Sequence, residues 1–320
     1  MADRRAVLVL GAAGFIGRAL VARFVAEGTP AVAAVRADAA FGAGVAVRVT
    51  GTLSAASDWP ALLAGCGAVV HLAGRAHRPA EAGEAWIAAE AATAAALAGA
   101  ARAAGIERLV LMSSVKVHGE DSGAGRFRAS DPPVPADPYG RAKLAVEAAM
   151  RSEAESRLVV LRPPLVYGPE VTGNFLALLR LVDCGLPLPF AAIANRRSLI
   201  FRDNLVDLVL VALTHPEAPG GTFLLRDDEE VATPRLVQLI AAGLDRPARL
   251  FACPPRLLGV AARLIGRGNT ATRLVASLSV DDGPTRTRLG WRPRVALADG
   301  IAVTCRWYRA AHGPRRASHL

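Results

Sequence analysis

The chain contains very little lysine. Its thirty-eight lysine and arginine residues include only two lysines, Lys116 and Lys143, so the other thirty-six are arginines. An ammonium is a compact charge with three rotatable donors, whereas a guanidinium is a broad planar fork, so the two groups do not replace each other at every site. We therefore treat both lysines as candidates for a chemical role.

Cysteine is also scarce, and its spacing argues against two kinds of site. The four cysteines, Cys66, Cys184, Cys253 and Cys305, are widely separated, with no C-x-x-C spacing and no histidine cluster nearby. This pattern predicts neither a disulfide framework nor a metal site. We expect no metal ligands and a reducing compartment, the cytoplasm.

Aromatic residues make up only 5% of the chain, and long apolar runs free of charge are missing. The net charge of +10 comes from dispersed arginines, without basic runs interleaved with aromatics, so we expect no nucleic-acid partner. The most apolar stretch, residues 86–104, contains Glu90 and Arg102, which favours a packed helix over a membrane span. The first residues lack the cleavage site of a signal peptide. We expect a soluble protein.

In the first half of the chain, short apolar runs alternate with longer alanine-rich segments. This rhythm predicts crossover units, and hence an α/β fold with a Rossmann-type, doubly wound parallel sheet covered by helices on both faces. The predicted strands are 7–10, 31–35, 45–49, 69–72, 109–112 and 158–161, and the main predicted helices are 16–26, 82–104 and 139–155.

The alternation loosens after residue 169. We assign residues 1–169 to an NAD(P)-binding Rossmann domain and 170–320 to a smaller C-terminal α+β substrate lobe, with a polar tail from about residue 312. Within 170–320 we predict a helix over 203–213, a strand over 222–225 and a helix over 234–244, and we expect the segment of about 200–230 to return to the first domain.

A glycine-rich turn, GAAGFIG, joins the first predicted strand to the first predicted helix. Gly11, Gly14 and Gly17 allow a tight reversal and let backbone amides approach a pyrophosphate, while the helix N-terminus adds N–H groups and a favourable dipole. Because the turn follows a strand and opens a helix, it predicts a dinucleotide site.

The end of the second predicted strand bears on the choice between NAD and NADP. An acidic residue there suits a free ribose 2′-hydroxyl, and an arginine suits a 2′-phosphate. The sequence has Arg36 first and Asp38 two residues later. We expect NAD or NADP, with Arg36 favouring NADP.

The segment YGRAK contains Tyr139 and Lys143, which lie on one face of a helix, one turn apart. A free tyrosine titrates near pH 10, and a nearby cation lowers its pKa by favouring the phenolate. Tyr139 is therefore a candidate proton donor and acceptor. Ser114 follows the strand predicted over 109–112 and faces the same cleft, where its hydroxyl can bind a substrate oxygen.

A glycine turn, a strand-end serine and Y-x-x-x-K follow one another in this order. With them the chain resembles, over nearly its whole length, the extended short-chain dehydrogenase/reductase family, which comprises the nucleotide-sugar epimerases and dehydratases. The subgroup that SSVKVHGE is most similar to contains UDP-glucose and UDP-N-acetylglucosamine 4-epimerases and 4-ketosugar reductases of polysaccharide assembly. The segments that carry the resemblance are GAAGFIG, VVHLAG, SSVKVHGE, DPPVPADPYGRAKLAVE, LRPPLVYGP, RRSLIFRDNLVDLV and RLGWRP.

The resemblance implies a role for each site residue. Tyr139 would be the acid and base, Lys143 its electrostatic partner and a ribose ligand, and Ser114 the contact to the substrate hydroxyl. The implied cofactor contacts are Gly11, Gly14, Phe15, Ile16, Gly17, Arg36, Leu72, Ala73, Tyr139, Lys143 and Pro164.

Three further residues are candidates for binding substrate. Asn174 and Arg197 stand at positions that resemble diphosphate contacts, although a turn asparagine and a solvated arginine are the plainer alternatives. Lys116 either reaches the diphosphate or sugar or points to solvent. His71 and His118 flank the cleft, and we expect both to be structural residues with satisfied hydrogen bonds.

Some positions depart from the family pattern. The 4,6-dehydratases have Asp and Glu directly after the strand-end hydroxyl residue, whereas this chain has Val115 and Lys116, which argues against dehydration. Ala89 stands where relatives often have Asn, and Thr52 where an Asp often contacts adenine. These two departures put an Asn-assisted proton relay and the details of the adenine site in doubt.

Taken together, these residues predict an NAD(P)-dependent oxidoreductase that acts on a nucleotide sugar, foremost a UDP-hexose or UDP-N-acetylhexosamine 4-epimerase. An NADPH-dependent 4-ketosugar-nucleotide reductase is the alternative that Arg36 favours, and reduction of a non-nucleotide ketone is a third. A non-catalytic NAD(P)-binding protein is the alternative of a different class, although such proteins typically lose the Tyr or the Lys. A homodimer is possible.

Overall fold

The computed structural model describes residues 5–74, 83–254, 257 and 274–313, so the predicted polar tail lies, from residue 314 onwards, outside the described residues. The strands are β1 (Ala6–Leu10), β2 (Ala31–Val35), β3 (Val45–Val49), β4 (Cys66–His71), β5 (Arg108–Met112), β6 (Leu158–Arg162), β7 (Leu165–Tyr167), β8 (Leu199–Phe201) and β9 (Thr222–Leu224). The helices are α1 (Phe15–Ala26), α2 (Trp59–Leu63), α3 (Glu84–Ala103), α4 (Pro138–Ala154), α5 (Gly173–Asp183), α6 (Arg202–Thr214), α7 (Thr233–Gly243), α8 (Gly283–Leu289) and α9 (Leu297–His312).

Seven strands form one parallel sheet in the order β3-β2-β1-β4-β5-β6-β9. Strands β2 and β6 are buried along their whole length, as expected for a parallel sheet covered on both faces, whereas the edge strand β3 is largely exposed. The predicted Rossmann-type α/β fold is confirmed.

The two faces of the sheet carry separate apolar cores. On one face, α1 and α6 cover alternate strand residues such as Val9 and Val110, and Phe24 and Leu208 pack against them. On the other face, α3 and α4 cover the intervening residues, and Leu97 is buried there. Because successive strand residues point to opposite faces, short valine- and leucine-rich runs supply both cores.

The C-terminal half contributes to the sheet and also builds a third core. Helix α6 packs against α1, and β9 pairs with β6. The predicted helices over 203–213 and 234–244 and the strand over 222–225 are confirmed within one residue at each end. The third core is centred on Tyr167, Phe175, Phe201, Ile240 and Ile301. The division of the chain into two domains stays a prediction.

The sequence did not predict a second sheet. Strands β7 and β8 pair in parallel as a small second sheet, with Val166 opposite Ile200. Each strand has only three residues, which is too short for an alternation of polar and apolar residues to stand out in the sequence. None of the helices in the described part of the chain is both long and apolar enough to cross a membrane.

A buried hydrogen-bond network joins both strands of this small sheet to Asp227 and, through Asp227, to α6. The Tyr167 hydroxyl donates to Asp227 Oδ2 at 2.7 Å, and Asp227 Oδ1 accepts from Asn204 Nδ2 at 2.8 Å and from the Phe201 N–H at 3.0 Å. Burial raises the pKa of Asp227 to about 6, because the ionised carboxyl is costly away from water. The three donors offset part of this cost.

We predict that Tyr167→Phe lowers the free energy of unfolding by about 1.5–3 kcal/mol, the range for a hydrogen bond to a charged group, because the buried Asp227 carboxylate loses one of its donors. Urea unfolding monitored by fluorescence or circular dichroism measures the change. Tyr308→Phe is the matched control, since the Tyr308 hydroxyl donates to Asp183 Oδ2 over a longer 3.3 Å at a more exposed site. Equal losses in the two variants would contradict the prediction.

Candidate active site

The turn between β1 and α1 forms a glycine cradle, which we define as Gly11, Gly14 and Gly17. Gly11 has a φ of +84°, in the left-handed region that favours glycine. A Cβ on Gly17 would lie 2.3 Å from the Gly11 carbonyl oxygen, so no larger residue fits there. Gly14 is the N-cap of α1 and leaves the helix N–H groups facing the turn. This arrangement suits a pyrophosphate.

The cradle lies at the topological switch point of the sheet. Strands β1 and β4 are neighbours, and the chain proceeds from them to opposite edges, which opens a crevice at their carboxyl ends. The Leu72 N–H donates to the Leu10 carbonyl at 3.0 Å, and a Cβ on Gly11 would lie 2.9 Å from the Ala73 nitrogen. The predicted cofactor residues Leu72 and Ala73 therefore border the cradle.

The other predicted cofactor residues lie around the same edge of the sheet. Phe15 and Ile16 are the first residues of α1, and Pro164 is buried directly after β6. Arg36 and Asp38 are both exposed just beyond the end of β2. The cradle, the open helix N-terminus and these flanking residues fit a nicotinamide dinucleotide.

Tyr139 and Lys143 lie one turn apart at the start of α4, as the spacing predicts. The Lys143 ammonium is 5.9 Å from the centroid of the Tyr139 ring, and it donates a hydrogen bond of 2.9 Å to the Met112 carbonyl at the end of β5. Only 7% of Lys143 is exposed. The hydrogen bond fixes the ammonium between α4 and the carboxyl edge of the sheet.

The pKa of Tyr139 differs from our expectation. Burial, with the Asp137 carboxylate as a second cause, raises it to about 12, whereas we expected a nearby cation to lower it. Burial lowers the pKa of Lys143 to about 8, against the opposing attraction of the Glu90 and Glu147 carboxylates. Desolvation dominates both groups because it disfavours each charged form. Near neutral pH the pair is thus a phenol beside an ammonium.

Ser114 lies at the same edge, two residues beyond Met112. It caps the short 3-10 helix Val115–Val117, and its Oγ accepts from the Lys116 N–H at 3.3 Å. That helix packs against the start of α4, where a Cβ on Gly140 would lie 2.6 Å from the Lys116 carbonyl oxygen. The close contact brings the loop that carries Ser114 to the end of α4 that carries Tyr139.

Lys116 makes contacts that the sequence did not predict. Its ammonium donates to Glu120 Oε1 at 2.8 Å and also contacts Asp137 Oδ2. Asp137 Oδ1 in turn accepts from the Gly140 N–H at 2.7 Å, in the first turn of α4. Lys116 therefore joins the loop after β5 to the start of α4.

A buried network that the sequence did not predict lies behind the pair of Tyr139 and Lys143. Arg162 forms a two-point ion pair with Glu147, with Nε at 3.0 Å from Oε1 and Nη2 at 2.6 Å from Oε2, and the Ser113 hydroxyl donates to Oε1. Arg162 Nη1 donates to His118 Nε2 at 2.8 Å, and burial beside Arg162 lowers the pKa of His118 to about 4. The position of Glu147, one helical turn after Lys143, is the feature of the sequence that could have indicated this network.

A small cavity of about 10 Å³, with room for about one water molecule, adjoins Lys143. His71, Trp86 and Glu90 line it together with Tyr139. Among the described residues, neither His71 Nδ1 nor Trp86 Nε1 has a hydrogen-bond partner, so the expected satisfied role of His71 does not hold for Nδ1. Burial, and to a lesser extent Lys143, lowers the pKa of His71 to about 3, so the imidazole is neutral.

The candidate substrate residues Asn174 and Arg197 lie in the C-terminal half. Asn174 is exposed in the first turn of α5. Arg197 is partly buried, its backbone pairs with Val231, and its Nη1 donates to the Ala276 carbonyl at 3.1 Å. Their contact with substrate stays a prediction, as does that of Lys116.

Comparison with known proteins relates the whole chain to sugar-nucleotide enzymes. The profile of the NAD dependent epimerase/dehydratase family matches residues 7–225. A UDP-glucose 4-epimerase of Vibrio cholerae is 34% identical over 318 residues, which cover 96% of this chain and 97% of that protein.

Solved structures share the fold at lower identity. The Bordetella bronchiseptica enzyme WbmG in complex with NAD has a TM-score of 0.77 and 20% identity, over 98% of this chain and 96% of that one. A UDP-glucuronic acid 4-epimerase from Bacillus cereus, in complex with UDP-glucuronic acid and NAD, has a TM-score of 0.77 and 19% identity, over 96% of this chain and 100% of that one. These similarities establish the same overall fold.

The pKa of Lys143 generates a prediction about stability. Its folded value of about 8 lies below its ordinary value of 10.5, so between pH 8 and pH 10 the unfolded chain holds a proton that the folded chain has released. The contribution of Lys143 to the free energy of unfolding therefore rises with pH in this window, by about 2–3 kcal/mol, and Lys143→Met should remove this contribution, so that the difference between wild type and variant grows with pH. Urea unfolding across this pH range measures it.

The chain's other lysine supplies the control. The rise should persist in Lys116→Met, because Lys116 is only partly buried and lies between two carboxylates. The same pH dependence in wild type and in Lys143→Met would show that another group causes it.

Proposed function

The chain belongs to the NAD dependent epimerase/dehydratase family, as the sequence predicted, and we propose that it is a UDP-sugar 4-epimerase. The observation that carries the reaction is the pair of partly buried Tyr139 and buried Lys143 at the carboxyl edge of the sheet, beside the glycine cradle. The substrate class rests on the Vibrio cholerae relative, a UDP-glucose 4-epimerase that this chain matches almost from end to end.

The cradle and the residues around it would hold the dinucleotide, with the pyrophosphate on the N–H groups of Gly14 and α1. When bound, NAD supplies the redox chemistry of 4-epimerisation: it accepts hydride from C4 of the sugar and returns it to the opposite face. NAD is supported by the WbmG and UDP-glucuronic acid 4-epimerase structures, which contain it. Arg36 favours NADP, and that preference stays a prediction.

Tyr139 is the group we assign to proton transfer. The Tyr139 phenolate, formed when the phenol releases its proton to water, accepts the proton of the C4 hydroxyl as the sugar is oxidised, and the resulting phenol donates that proton back when the 4-ketosugar is reduced. Lys143 is mostly protonated at neutral pH, and its ammonium favours the phenolate that forms transiently. The Ser114 hydroxyl, at the end of the neighbouring strand, donates to the C4 oxygen and stabilises the developing alkoxide.

Two other reactions fit the residues less well. 4,6-Dehydration needs an acid that protonates the leaving hydroxyl and a base that removes the C5 proton, both directly after the strand-end hydroxyl residue, but Val115 is a buried hydrocarbon and Lys116 is paired with Glu120 and Asp137. A 4-ketosugar-nucleotide reductase uses only the second half of the epimerase cycle and consumes external NADPH, so Arg36 supports it. Turnover without added cofactor separates it from the epimerase.

Three expectations stay proposals. We propose that the C-terminal half of the chain, with Asn174 and Arg197, binds the nucleotide-sugar diphosphate, because arginine grips phosphate oxygens at two points. We also propose a homodimer, which light scattering of the purified chain tests, and a cytoplasmic location.

We predict that the purified protein retains its cofactor and interconverts UDP-glucose and UDP-galactose, or the N-acetyl pair, without added NADPH. Tyr139→Phe should lower turnover by about 100-fold or more, because it removes only the oxygen that transfers the proton. Proton NMR of the sugar anomeric signals measures both. Cofactor content should remain near that of wild type.

Tyr308→Phe is the matched control, since it makes the same chemical change in α9. Its turnover should equal that of wild type. Wild-type turnover in Tyr139→Phe would remove Tyr139 from the mechanism. Conversion of a 4-ketosugar nucleotide only in the presence of NADPH would replace the epimerase proposal by the reductase.

Arg36 and Asp38 generate a paired prediction on the cofactor. If Arg36 contacts a 2′-phosphate, Arg36→Ala weakens NADP binding by about 1.5–3 kcal/mol and leaves NAD binding unchanged. Asp38→Ala should act in the opposite sense, since a carboxylate suits the free ribose hydroxyl of NAD. Titration calorimetry measures the change in binding free energy of NAD and of NADP in each of the two variants. Equal losses of both cofactors in Arg36→Ala would contradict a phosphate contact.

A further inference from the structure

A second, larger cavity lies at the amino edge of the sheet, at the opposite end of the strands from the glycine cradle. Its volume is about 640 Å³, within the usual range for pockets that bind small molecules. The starts of β1, β4 and β5 line it, together with the carboxyl-terminal turns of α1 and α6. Nothing in the proposed epimerase reaction uses this edge.

The charged side chains around the cavity do not balance. Four guanidinium groups face three carboxylates. The ion pairs are Arg5 with Glu107, Arg23 with Glu27 at 2.5 Å, and Arg294 with Asp207 at 3.1 Å. Each carboxylate of the lining is thus paired with an arginine. Arg108 is the arginine of the lining that has no carboxylate partner among the described residues.

Arg108 is the first residue of β5 and points to the same face of the sheet as Val110 and Met112, the face that α1 and α6 cover. Its Nε and Nη1 atoms are fully buried, and neither has a hydrogen-bond partner in the described part of the chain. Burial lowers the pKa of Arg108, with the Glu107 carboxylate acting in the opposite direction. Arg108 as a whole is only partly buried, so the cavity reaches it through its other atoms, and an anion bound there would partner a guanidinium that has no carboxylate partner among the described residues.

The surroundings indicate which anion fits. Among the described residues, one positive charge of the lining has no carboxylate partner, and the negative ends of the α1 and α6 dipoles oppose it, so the site suits at most a single negative charge and not a phosphate dianion. The rest of the lining includes apolar side chains of Phe24, Leu210, Val211 and Leu213. An apolar body therefore has a surface to pack against.

We propose that this cavity binds a small organic monocarboxylate, with its carboxylate on Arg108 and its apolar part against α1 and α6. The proposal is independent of the epimerase assignment, because it concerns the other edge of the sheet and its test does not involve turnover.

The test is thermal unfolding during a titration with hexanoate at constant ionic strength. Hexanoate should raise the midpoint Tm of the wild type along a saturable curve, because a ligand of the folded state stabilises it by mass action. Neutral hexanamide and short acetate should each give a smaller rise, since one lacks the charge and the other lacks the apolar body. In Arg108→Met the rise should vanish.

Without ligand, Arg108→Met should have a higher Tm than wild type, because an apolar side chain of similar length replaces a guanidinium whose buried Nε and Nη1 atoms have no hydrogen-bond partner among the described residues. Arg306→Met, at an exposed position of α9, is the control for losing one charge and should respond to hexanoate as wild type does. Should Arg108→Met not fold, Arg108→Gln, which removes the charge but keeps an N–H donor, takes its place.

Two results would overturn the proposal. One is a wild-type response to hexanoate no larger than that to hexanamide. The other is an undiminished response in the variant that lacks the Arg108 charge.

Discussion

The buried ion pair between Glu147 and Arg162 fixes helix α4 on the sheet, and the geometry of the active site depends on it. Both residues are at most 5% exposed, and two direct hydrogen bonds join them. A charge so far from water is tolerated only with a well-placed partner, so α4 has little freedom to slide or rotate. Lys143 lies one turn before Glu147, and Tyr139 one turn before Lys143. The ion pair therefore determines where the ammonium and the phenol meet the ends of the strands.

The scarcity of lysine has a structural explanation at both positions. The Lys143 ammonium occupies a narrow space, 3.0 Å from where a Cβ on Gly74 would lie and 2.9 Å from the Met112 carbonyl, and a guanidinium is too broad for it. The Lys116 ammonium contacts two carboxylates on different segments, Glu120 and Asp137, which a compact head with rotatable donors can do. Both lysines lie where the loop after β5 meets α4.

Sequence reasoning identified the features that are encoded locally. The glycine cradle, the strand-end Ser114 and the Tyr139 and Lys143 pair each follow from spacing within one turn or one helix, and the alternation of strands and helices predicted the sheet. The Glu147–Arg162 pair joins a helix to a strand and depends on the packing of α4, so no local pattern announced it. The sequence also contained no sign that Arg108 lacks a carboxylate partner among the described residues, because it is one of thirty-six arginines in the chain.

The pKa values of Tyr139 and Lys143 bear on how one residue can serve both directions of a reversible reaction. Burial raises the pKa of the Tyr139 phenol to about 12 and lowers the pKa of the Lys143 ammonium to about 8, so the two pKa values differ more than they do in water. A phenol that is hard to ionise is a weak acid, but its phenolate is a correspondingly strong base. Sugar oxidation needs the base, and reduction needs the acid. The Tyr139 phenol and the sugar C4 hydroxyl, which is itself a very weak acid, exchange the same proton in both directions of the reaction. The closer their proton affinities are within the desolvated site, the smaller is the barrier to proton transfer in either direction. Desolvation of Tyr139 moves its proton affinity toward that of the substrate, and the Asp137 carboxylate acts in the same direction.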